Sequence, residues 1–130
     1  MNSTVLLIED NEQNRYLATF LLESHGFAVV SAADGVSGLS LARSVLPDLV
    51  LLDIQLPNMD GYAVARLLRA QEALQQTPIV AVTSHAMVGD RERCLAAGCD
   101  GYIEKPINPE TFVAEIGVFL DVHPSGTSPV

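Results

Sequence analysis

Apolar runs alternate with amphipathic segments five times along this chain. The runs Val5–Glu9, Phe27–Ala32, Asp48–Asp53, Pro78–Thr83 and Gly101–Ile103 are short and rich in branched aliphatics. That pattern predicts strands buried on both faces of a parallel sheet. Pro78 suits a first strand position, where its missing N–H matters least. Between the runs the apolar residues fall at helical spacing. Leu39, Ala42 and Leu46 share one face of the second segment, and Phe112, Ile116 and Phe119 one face of the last. Gly26 and Gly98 follow periodic stretches, as residues just past a helix end do. Asn108-Pro109-Glu110 reads as an N-cap, a proline at the first helical position and an acid in the first turn. Strand–helix alternation of this kind implies right-handed crossovers and a doubly wound parallel sheet, an α/β fold with helices on both sides.

At 130 residues the chain is one domain's worth, here residues 1–121, with enough length for a core without metal or disulfide staples. Residues 122–130, with His123-Pro124-Ser125-Gly126-Thr127-Ser128-Pro129, are small and polar and are expected to be disordered, as a chain end or the stub of a linker. Net charge is −9. A field of that sign repels nucleic acid and anionic lipid and favours bound cations. Cys94 and Cys99 have no histidine or further cysteine at zinc spacing, so they read as two reduced thiols. His85 likewise has no pairing residue at ligand spacing. No stretch approaches membrane-spanning length, no signal segment opens the chain, and a cytoplasmic location is expected.

The chemistry gathers at one sheet edge. Glu9 and Asp10 end the first run, Asp53 the third and Thr83 the fourth, while Lys105, the only lysine, follows the fifth. In open parallel sheets, ligands bind beyond the carboxyl ends of the strands. Taken singly, each residue has a plain structural reading: Asp53 a strand-ending turn former, Glu9-Asp10-Asn11 a helix cap, Thr83 a β-branched strand residue, Lys105 a solvated cation. Together they are harder to dismiss. Three carboxylates converging on one edge repel one another, and a hard cation with oxygen ligands relieves that repulsion. An ammonium among three carboxylates, with a hydroxyl beside it, could hold the remaining oxygens of a phosphoryl group. The chemistry so implied is phosphoryl transfer to Asp53.

Leu7-Ile8-Glu9-Asp10-Asn11, Leu52-Asp53-Ile54-Gln55-Leu56-Pro57-Asn58-Met59-Asp60-Gly61, Val82-Thr83-Ser84 and Tyr102-Ile103-Glu104-Lys105-Pro106 resemble the receiver domain of two-component response regulators. The intervals from Asp53 to Thr83 and from Thr83 to Lys105 match that family, and the resemblance covers about residues 4 to 121. It implies a flavodoxin-like (βα)5 domain with strand order 2-1-3-4-5. Asp53 would be the phosphoacceptor. Asp10, Asp53 and the backbone carbonyl of Gln55 would bind Mg²⁺ or Mn²⁺, with Glu9 acting through water. Lys105 would pair with the phosphoryl group and Thr83 would donate its hydroxyl to it. Thr83 and Tyr102 would report phosphorylation on the face made by the fourth helix, fifth strand and fifth helix. Pro106 would follow a cis peptide bond, and Ser84 is small, as access to the acceptor requires. Gln55 and His85 occupy positions that vary in the family and tune phosphoryl lifetime.

Asp53 through Pro57, Met87 through Arg93 and Gly98 through Ile107 are similar to stand-alone regulators of the DivK type, and receivers of hybrid histidine kinases share much of this. The resemblance therefore implies a single-domain regulator that catalyses only its own phosphorylation and dephosphorylation. Its phosphoryl group would come from a sensor histidine kinase or histidine phosphotransferase, and its output would pass through protein contacts. Three other readings compete. A haloacid-dehalogenase-type phosphatase wants an aspartate where Gln55 stands. A binding module without phosphorylation would not need the acidic pair, Thr83 and Lys105. A flavodoxin wants a phosphate loop after the first strand, where Asp10-Asn11-Glu12-Gln13 would repel a phosphate.

Overall fold

The computed structural model describes residues 3–57, 59–84 and 89–121. His85 and the segment 122–130, expected above to be disordered, lie outside the described residues. The elements run β1 (Thr4–Ile8), α1 (Glu12–Ser24), β2 (Ala28–Ala32), α2 (Gly35–Val45), β3 (Leu49–Asp53), α3 (Gly61–Ala70), β4 (Ile79–Thr83), α4 (Asp90–Ala96), β5 (Gly101–Glu104) and α5 (Phe112–Asp121), with a 3-10 turn at Glu72–Leu74. The five strands pair in parallel in the order β2-β1-β3-β4-β5, which makes this the flavodoxin-like arrangement.

Period-two alternation sorts each strand between two cores. Leu6, Ile8, Val50, Leu52, Ile79 and Ala81 face α2, α3 and α4. Val5, Leu7, Leu49, Leu51, Val80 and Val82 face α1 and α5, where Phe112 and Ile116 are fully buried. Every residue of β3 and of β4 is buried, as central strands covered on both sides must be. No helix among the described residues is long and apolar enough to cross a membrane.

Local chemistry sets the element ends. Asn11, Asp34 and Asp60 cap α1, α2 and α3, their side chains accepting the N–H groups of Asn14, Ser37 and Tyr62. Gly26 and Gly98 take left-handed φ values of 92° and 107°, which end α1 and α4 as expected. The Asn108 carboxamide accepts from Glu110 N–H, but its turn precedes the regular helix, which begins at Phe112. Leu46 departs from its expected place. It is the left-handed C-cap of α2, with φ 54°, and is 54% exposed rather than on the packed face. Pro47 follows it, and a residue before proline is driven out of the right-handed helical region.

Candidate functional site

The carboxyl edge of the sheet brings the acidic residues and the lysine together. Asp53 is the last residue of β3 and only 2% exposed, while Glu9 follows β1 directly and is 3% exposed. Parallel pairing of β1 with β3 sets Ile8 beside Leu52, so Glu9 and Asp53 leave adjacent strands at one level. Asp10 continues into the exposed loop before α1. One carboxylate oxygen from each of Glu9, Asp10 and Asp53 can be chosen so that all lie within 4.8 Å of one another. Lys105 crosses from the far strand, its Nζ 2.9 Å from Glu9 Oε1 and 3.3 Å from Asp53 Oδ2. The ammonium thus pairs with two carboxylates, and the expectation of three is corrected. Asp10 lies exposed to solvent outside that pair.

The remaining members flank this cluster. Thr83 ends β4, buried, in register with Glu104, and its carbonyl accepts the Lys105 N–H at 2.8 Å. The Lys105–Pro106 peptide is cis. Tyr102 lies within β5, half-buried against the core that carries α4. Gln55 does something its sequence did not disclose. Its Oε1 accepts both the Ser84 N–H, at 3.1 Å, and the Ser84 hydroxyl, at 2.8 Å, tying the segment after β3 to the segment after β4. Gln55 N–H in turn donates to Asp53 Oδ1 at 2.9 Å. Arg15 donates to the Glu9 carbonyl at 2.9 Å, fixing the acidic turn against α1. The Gln55–Ser84 tie has no signal in spacing or composition, because it depends on how the loops after β3 and β4 meet, whereas Arg15 reaches back only six residues from the first turns of α1.

Burial is the largest influence on Asp53. Together with the nearby Glu9 charge it raises the carboxyl above its usual pKa, although the Gln55 N–H and Lys105 pull the other way. Lys105 is likewise raised: burial alone would lower it, and the Glu9 hydrogen bond and the two carboxylate charges overcome that. A carboxyl with a raised folded pKa contributes stability that is fully present below its unfolded value and is lost as pH rises through the folded one. Asp53→Asn keeps an oxygen for Gln55 N–H. It is therefore expected to be more stable than wild type at neutral pH, with the difference closing as pH falls toward the unfolded value of 3.8. Urea unfolding at both pH values measures it. A less stable variant at neutral pH would show that the Asp53 charge is no burden to the fold.

Fold and site together define an α/β domain with an acidic, cation-competent pocket at the carboxyl edge of its sheet. Residues 5–117 match the response regulator receiver domain, and the chain belongs to that family. It is 42% identical over 120 residues to the polar-differentiation response regulator DivK of Brucella ovis and of Brucella abortus, covering 92% of this chain and 98% of theirs. Among solved structures, the receiver domain of a sensor histidine kinase from Pseudomonas aeruginosa, with a magnesium ion coordinated in its active-site cleft, superposes with a TM-score of 0.82 at 36% identity, over 97% of this chain and all of that one. The chemotaxis response regulator CheY4 of Vibrio cholerae gives 0.87 at 28%, over 92% and 99%. The chain is thus a DivK-like receiver domain of two-component signalling. Response regulators are phosphorylated by histidine kinases, and receiver domains bind Mg²⁺ at an acidic pocket.

Proposed function

We propose that Asp53 accepts a phosphoryl group from the phosphohistidine of a sensor histidine kinase or histidine phosphotransferase, and that the change is read on the face of α4, β5 and α5. The observation that carries this is the buried Asp53 carboxylate, held by Lys105 beside Glu9 and Asp10. An Asp53 oxygen attacks phosphorus as the bond to the donor's imidazole nitrogen breaks, leaving an aspartyl phosphate. Little covalent work falls to the protein beyond positioning and charge neutralisation. Lys105 Nζ already sits on Asp53 Oδ2 and follows the charge onto the phosphoryl oxygens. The Thr83 hydroxyl donates to one of those oxygens, and its displacement, with that of Tyr102, is the switch. Coupling of this kind is on the order of 1–3 kcal/mol.

Three carboxylates within reach of one point form the hard, anionic donor set that Mg²⁺ or Mn²⁺ takes. Asp10 and Asp53 side chains and the Gln55 carbonyl would hold the ion, and Glu9, kept by Lys105, would reach it through water. The ion would supply positive charge to the phosphoryl oxygens. Partners are proteins, acting in the cytoplasm, since a net charge of −9 opposes nucleic-acid binding. Acetyl phosphate with Mg²⁺ is expected to add the mass of one phosphoryl group to the wild type and none to Asp53→Asn. Equal labelling of the two proteins would refute the acceptor assignment.

A further inference from the structure

A cavity of about 470 Å³ opens on the face of α4, β5 and α5, and none of Glu9, Asp10, Asp53 and Lys105 lines it. Its walls include Arg91 of α4, Tyr102 and Glu104 of β5, Asn108 from the following loop and Glu115 of α5. Strand β5 is the sheet's edge, so nothing of the sheet lies beyond it. Tyr102 packs partly against the core and lines the cavity with the rest of its surface. Among the described residues, the side chains of Arg91, Glu104 and Glu115 form no hydrogen bond or ion pair. Glu104 and Glu115 therefore present two uncommitted carboxylates beside an aromatic ring. Burial first, and then the negative charges of Asp90 and Glu104, hold the Tyr102 hydroxyl above its usual pKa.

We infer that this cavity takes an arginine side chain from a basic segment of the partner protein, stacked on Tyr102 and paired with Glu104 and Glu115. Charge complementarity selects the sign: two carboxylates face one guanidinium, on a chain of net charge −9. The ring selects arginine over lysine, because a planar guanidinium stacks on an aromatic face while donating to carboxylates in its own plane. Arg91, which also lines the cavity, is left to meet an acidic residue of the same segment. The inference rests on the proposed reading of this face as the output surface, and supplies the chemistry of what it reads out to.

The test uses the full chain, isotope-labelled, titrated with acetyl-Gly-Arg-Gly-Arg-Gly-amide and with its lysine and citrulline counterparts. Saturable shifts confined to Tyr102, Glu104 and Glu115 and their neighbours are expected, strongest with arginine, weaker with lysine and absent with the neutral citrulline. Glu104→Gln combined with Glu115→Gln should weaken the arginine peptide about tenfold, the scale of two partly exposed charge contacts, while the stack on Tyr102 remains. Shifts spread equally over Glu12, Glu23 and Glu72, or unchanged affinity in the double variant, would overturn the inference. So would the same shifts appearing on raising protein concentration without peptide, which would make a second copy the occupant. Phosphorylation of the double variant is read by mass in parallel. Loss of the adduct in wild type would count against the proposed function, whereas a peptide that binds elsewhere counts only against the cavity.

Discussion

Lys105→Met is expected to slow phosphorylation of Asp53 by about 10²-fold, the usual loss when one preorganised charge-stabilising donor is removed from an active site. Methionine keeps the length of the stem and deletes the ammonium that now bridges Glu9 Oε1 and Asp53 Oδ2. Two buried carboxylates are then left facing each other. Their repulsion and lost pairing should cost about 2 kcal/mol at neutral pH, less than breaking a fully desolvated pair, because Asp10 and the pocket mouth stay wet. Removing Lys105 also pushes the Asp53 carboxyl further up, so this loss shrinks on acidification as the proton is taken up. Time courses of the acetyl phosphate adduct, beside urea unfolding, separate the two effects. A variant that loses fold and rate in proportion would make Lys105 structural.

Arg69→Met should do the reverse, lowering stability by about 3 kcal/mol, or roughly 10 °C in Tm, with phosphorylation of the folded fraction little changed. The Arg69 guanidinium donates to the carbonyls of Leu74, Gln75 and Thr77 at 2.9, 3.0 and 2.9 Å and to the Gly98 carbonyl through two nitrogens. It also pairs with Asp100 Oδ2 at 2.8 Å, and that same oxygen accepts the Ile79 N–H. One side chain at the end of α3 therefore pins the 3-10 turn, the start of β4 and the loop before β5. Methionine can fill the space of the stem but leaves those acceptors to water, and Arg69 is only 24% exposed. Thermal unfolding measures the effect. A change below about 1 kcal/mol would mean that water replaces the clamp at no cost, as it does for exposed pairs.

The contrast between these two cations marks what a one-dimensional reading can reach. Lys105 was legible because it is the only lysine and follows a strand that ends where Asp53 and Thr83 also end. Strand ends were legible too: each observed strand begins and ends within one residue of its apolar run, since period and burial are local properties. Arg69 looks like any arginine on an amphipathic helix, and its acceptors include carbonyls brought near only by the packing of two loops. The Gln55–Ser84 tie is hidden for the same reason. Leu46 is different, because the residue that moves it off the packed face, Pro47, stands next to it in the sequence, so the end of α2 has a local signal that helical spacing alone does not carry. The acidic cluster itself was legible as a set of residues, but which carboxylates Lys105 selects depends on the reach of its side chain.

The account turns on Asp53 being the residue modified, among the sixteen acidic residues of the chain. An acyl phosphate is reduced by borohydride to an alcohol, which converts a phosphorylated aspartate into homoserine. The protein treated with acetyl phosphate and Mg²⁺ is trapped in this way, digested and sequenced by mass spectrometry. Homoserine at position 53, and at no other acidic position, is the expected result. Homoserine at Asp10 or elsewhere, with Asp53 unmodified, would contradict the account.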